Sequence, residues 1–75
     1  MQVQVKLMGA LKKKTPEDGK LDLPEDATIA DALKVLDISR SNVQVVSING
    51  SFERDLDRTL DAGDEMTVLA PVGGG

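Results

Sequence analysis

Only one stretch of this chain carries a helical period. Ile29, Leu33 and Leu36 fall at i, i+4 and i+7 with Ala32 beside them, while the other patterned segments alternate with the period of a strand. Thr28 is placed to cap this helix, with Asp31 three residues on in a capping-box arrangement, and Asp26 offers an alternative cap. A helix of about ten residues covers one face of a small sheet and no more. The chain is therefore expected to form a two-layer α+β domain.

The strands follow from alternation. In Gln2 to Met8, Val3, Val5 and Leu7 share one side and Gln2, Gln4, Lys6 and Met8 the other. Residues 9 to 19, "GALKKKTPEDG", read as a long solvated connection whose lysine run is surface, and the next strand places Leu21 and Leu23 inward. Val43 to Gly50 reads as a strand ending in Asn49-Gly50, a dipeptide suited to the positive φ angles of a tight turn. A short return over Ser51 to Arg54 follows, then an irregular stretch anchored by Leu56 and Leu60. After a turn at Gly63-Asp64, Met66, Val68 and Ala70 alternate with Thr67 and Leu69 in a last strand.

If the first and last strands share the middle of the sheet they run parallel, with the helix crossing over between two hairpin halves. That is a β-grasp, or ubiquitin-like, fold: a mixed four- to five-stranded sheet with one crossover helix on one face. Seventy-five residues make one domain, near the lower limit for a single core. We expect the domain over 1–72 and a flexible glycine tail over 73–75.

Composition removes most chemistries. There is no cysteine and no histidine, so disulfides, thiol nucleophiles, thiolate metal sites and imidazole bases are excluded, and no metal site or catalytic residue is assigned. The net charge is −4 and Phe52 is the single aromatic residue, which argues against nucleic-acid binding. The N-terminal stretch lacks the pattern of a signal peptide and the apolar runs are too short for a membrane span, so a cytoplasmic protein is expected.

The three glycines that close "LAPVGGG", Gly73 to Gly75, add nothing to such a domain, because glycine costs about 0.5–1 kcal/mol relative to alanine in regular structure. They suit an object outside the domain: an extended segment entering a narrow channel, where side chains at Gly74 or Gly75 would collide with the walls and crowd the carbonyl carbon.

These residues carry a family likeness. "VVSING", "LDAGDEMTVLAPVGGG", the helix between two hairpins and the end on Gly74-Gly75 resemble the ubiquitin-like sulfur carriers: the molybdopterin synthase small subunit, the thiamine-pathway sulfur carrier and the small archaeal modifier proteins. The Gly-Asp-Glu turn, apolar strand, proline and terminal glycines look most like the molybdopterin synthase small subunit. Gly73 stands where a larger small residue is commoner, and residues 9 to 19 are less apolar than the short helix often found there.

The resemblance implies a chain that is not itself an enzyme and binds no cofactor stably. A ubiquitin-activating-type adenylating enzyme would use ATP to activate the Gly75 carboxylate. A sulfur donor protein would then leave a thiocarboxylate for the molybdopterin synthase large subunit, or target-protein lysines would take the acyl group as an isopeptide. Gly74 and Gly73 would provide clearance and spacing, and the end after Gly75 would present the carboxylate without trimming.

A docking surface is expected from the residues themselves. The strand from Val43 is apolar on both sides and one helix covers one face, so Val43, Val45 and Leu69, with Thr67 beside them, should form a small exposed patch that Pro71 and Val72 extend toward the tail. The acidic cluster of Asp61, Asp64 and Glu65 reads as a solvated turn.

Overall fold

The computed structural model describes residues 1–71; the expectations for Val72, Gly73, Gly74 and Gly75 lie outside the described residues. Five strands form one mixed sheet: β1 (Gln2–Met8), β2 (Lys20–Asp22), β3 (Val45–Ile48), β4 (Ser51–Glu53) and β5 (Glu65–Leu69). Their spatial order is β2-β1-β5-β3-β4, with β1 parallel to β5 and the other pairs antiparallel. Helix α1 (Ile29–Val35) crosses between the two hairpin halves. This is the β-grasp arrangement.

Alternation decides which side faces the helix. Val5 stands beside Met66 and Leu7 beside Val68 across β1 and β5, while Val46 meets Val68 and Ile48 meets Met66 across β5 and β3. These residues are buried together with Ile29, Ala32 and Leu33 of α1 and with Leu60 from the irregular stretch. The core thus lies between one sheet face and one helix stripe, which is all a single short helix can enclose.

The helix is shorter than its pattern suggests. At its start Thr28 accepts from the Asp31 N–H and the Asp31 carboxylate accepts from the Thr28 N–H, a complete capping box. Asp31 is held below the usual carboxylate range by the Thr28 backbone N–H, aided by its hydroxyl. Asp26 is not the cap; it sits at φ 64° in the preceding turn. At the other end Asp37 takes a left-handed φ of 60°, with Asp37 N–H bonded to Lys34 O and Ile38 N–H to Leu33 O. This is a Schellman stop made by aspartate, and the buried Ile38 supplies the apolar contact that accompanies it. Without a glycine to mark it, the stop is hidden in the sequence.

The connection after β1 is not simply solvated. Gly9, at φ +66°, turns the chain into a 3-10 helix over Gly9–Lys14 that buries Leu11, and a Cβ at Gly9 would stand 3.5 Å from Ala70 Cβ. A single buried residue in six gives no period to read, so the turn is invisible by pattern. Its last residue, Lys14, donates from Nζ to the Asp37 carbonyl oxygen at 2.6 Å and ties this loop to the end of α1. Among the described residues no helix is long and apolar enough to cross a membrane.

Candidate functional site

Strand β5 lies in the middle of the sheet and runs out at Leu69 toward Ala70 and Pro71, so the segment that follows leaves from the centre of the domain. The face opposite the helix has no covering layer among the described residues. Across it Met8, Leu69 and Val45 form one row over β1, β5 and β3, and Lys6, Thr67, Ser47 and Phe52 form the next over β1, β5, β3 and β4. Val45, Thr67 and Leu69 are half-buried by their neighbours, and Pro71 is likewise half-buried beyond them.

Three of the expected docking residues are therefore together on this face, and Val43 is not. A short 3-10 turn over Arg40–Asn42 precedes β3, which begins only at Val45, so strand parity does not extend back to Val43. Val43 instead packs against the edge of the core. Two further residues belong to the face. Met8, on the outer side of β1 as the alternation predicts, is 42% exposed, and Phe52 stands out at 83% exposed. The signal for Phe52 was available: a two-residue Asn49-Gly50 turn, with φ of 53° and 86°, places Phe52 opposite Ser47 and so on the outer side.

The acidic turn is corrected by the structure. Asp61 and Glu65 are exposed, but Asp64 is buried at 8% exposure. Its carboxylate accepts from Asn49 Nδ2 at 2.9 Å and from the Asp61 N–H at 2.8 Å, while Asn49 Oδ1 accepts from the Glu65 N–H. The pair thus fastens the β3–β4 turn to the start of β5. Burial pushes the Asp64 carboxyl up, but the Asp61 N–H, the Asn49 amide and the charge of Arg58 outweigh it and hold the group below its ordinary value of 3.8.

A folded-state pKa below the unfolded one means this carboxylate stabilises the fold above the unfolded value, and that the contribution is lost as pH falls through the folded one. Asp64→Ala is expected to cost about 1.5–3 kcal/mol at neutral pH, the range for hydrogen bonds to a charged group. In thermal melts the gap between wild type and variant should narrow as the pH drops below 3.8. A gap that stays constant through that range would show that the charge of Asp64 contributes nothing.

Fold and site together define a class: a β-grasp domain whose outer sheet face is uncovered among the described residues and whose central last strand leads into a glycine-rich segment. The ThiS family pattern matches residues 5–75, and the chain belongs to that family of ubiquitin-like sulfur carriers and modifiers. Comparison with curated protein sequences gave no match. Among solved structures, SAMP1 from Haloferax volcanii is similar over 100% of both chains at 25% identity, with a TM-score of 0.73. A second structure, H. volcanii small archaeal modifier protein 1, is similar at 25% identity over 95% of this chain and 98% of that one, with a TM-score of 0.71. A complex of subunits 1 and 2 of molybdopterin-converting factor from Helicobacter pylori 26695 contains a chain that is similar over 100% of both at 20% identity, with a TM-score of 0.62. At that identity the likeness is one of fold.

Proposed function

We propose that the protein is a sulfur carrier whose Gly75 carboxylate is adenylated and then converted to a thiocarboxylate, for molybdopterin biosynthesis. The observation that carries this reading is that the family match runs through the glycines to residue 75. A carboxylate resists nucleophiles because of its charge and its poor leaving group. Joined to AMP it has neither defect, and a sulfur nucleophile can displace the nucleotide. The adenylating enzyme supplies the ATP site, the sulfur donor protein supplies the sulfur, and this chain supplies the carrier end and the surface by which it is held. The order of Gly63-Asp64-Glu65, apolar strand, Pro71 and terminal glycines supports service to the molybdopterin synthase large subunit.

The second reading is conjugation through Gly75 to lysines of target proteins, and the structural similarity to small archaeal modifier protein 1 favours it. Intact mass spectrometry separates the two after incubation with ATP, an adenylating partner and a sulfur donor. Exchange of one oxygen for sulfur at the C-terminus is the expected result. A branched peptide on a target lysine supports the modifier instead, and an unchanged mass with active partners present would sink both.

A further inference from the structure

Val43, Leu56, Arg40 and Arg54 surround a cleft of about 540 Å³ that opens beside β4, the strand at one edge of the sheet. The backbone there is open to pairing. In a two-residue hairpin the flanking pair, Ile48 and Ser51, is hydrogen-bonded; antiparallel pairs alternate, so Val46 with Glu53 is bonded and Ser47 with Phe52 is not. The N–H and C=O of Phe52 therefore point away from β3 to the free edge. Exposed edges are usually blunted by proline, lysine or a bulge, yet β4 carries the one aromatic ring of the chain, 83% exposed.

Charge indicates what fits. Glu53 is engaged by Arg58, Nε to Oε2 at 3.4 Å, whereas Arg40 and Arg54 are exposed and form no ion pair among the described residues. Two available guanidiniums share the cleft with Val43, Val45, Phe52 and Leu56, in a chain whose net charge is −4. The geometry points to a docking site for an extended acidic segment of a partner protein, which adds to β4 as a sixth strand of the sheet. The backbone of the segment pairs with Phe52, its apolar side chains enter the cleft against Val43 and Leu56, and its carboxylates meet Arg40 and Arg54. A second copy of this chain fits poorly, since its own β4 edge would bring the same arginines to the same place. The surface adjoins the outer face, since Val45 and Phe52 line the cleft too, but its pairing edge belongs to β4, away from Met8 and Leu69, and it stands whether or not Gly75 is activated.

The test is a titration of the isotope-labelled full chain with an acetylated, amidated Asp-Val-Glu-Val-Asp peptide, followed by amide NMR. Shifts at Ser51, Phe52 and Glu53 are expected, with slowed hydrogen exchange of the Phe52 amide. Arg40→Glu combined with Arg54→Glu should weaken binding about tenfold or more, and high salt should weaken it in the wild type, because both partners are exposed. Dispersed spectra will show that the variant is folded. A Lys-Val-Lys-Val-Lys peptide that binds equally well, shifts confined to Met8 and Leu69, an unaffected double variant, or the same shifts on concentrating the protein alone would each overturn the proposal.

Discussion

Deletion of Gly75 is expected to abolish activation of the chain by its adenylating partner while leaving the fold intact. Removing one extended residue draws the carboxylate back by about 3.5 Å, beyond the reach of a fixed acceptor atom. Gly74→Val keeps the length but adds a branched side chain beside the carbonyl; a misplacement near 1 Å at a reacting centre costs about a hundredfold in rate. Neither change touches the described core, so stability should change by no more than about 0.5 kcal/mol, as for substitutions outside packed regions. Rates of adenylate formation, read by pyrophosphate release, together with thermal melts check both statements. A Gly74→Val protein that is activated at the wild-type rate would remove the clearance role of the tail.

Met66→Ala is expected to have the largest effect on stability. Met66 is fully buried on the central strand, in register with Val5 on one side and Ile48 on the other, in one core with Ile29 and Leu33. A large-to-alanine change at such a site costs about 2–5 kcal/mol, since the cavity left behind closes only in part. A domain of this size has a total of about 4–11 kcal/mol to lose. At about 4–8 °C per kcal/mol for small domains, the melting temperature should fall by at least 8 °C. Met8→Ala, on the outer face of the neighbouring strand, is the control and should change stability little. Urea denaturation of the two variants decides the matter, and equal losses at both positions would contradict the inward and outward assignment of the sheet.

That assignment was legible from residue order because period-two alternation is set by backbone geometry. Residue order alone sorts Val3, Val5, Leu7, Met66 and Val68, and it also carries the capping box at Thr28 and the parallel pairing of the outer segments of the chain. The unread parts depend on single residues that break a pattern. Asp37 stops the helix in a conformation usually left to glycine, Leu11 is buried by a turn too short to repeat, and β3 begins two residues later than its apolar run. Asp64 looked like one of three surface acids because its partner Asn49 is fifteen residues away and was already accounted for by the hairpin turn. On the outer face, Val45, Thr67 and Leu69 followed from parity, but Phe52 required the register across the turn.

The position of β5 also has a mechanical meaning. A partner that draws on the chain at Pro71 pulls β5 along its own axis, and the strand is flanked on one side by β1 and on the other by β3. Interstrand hydrogen bonds lie across that direction, so the two ladders resist together in shear rather than opening one bond at a time. A domain held in this way can be towed by its end into a confined space without unravelling, and the traction is spread over the widest part of the sheet.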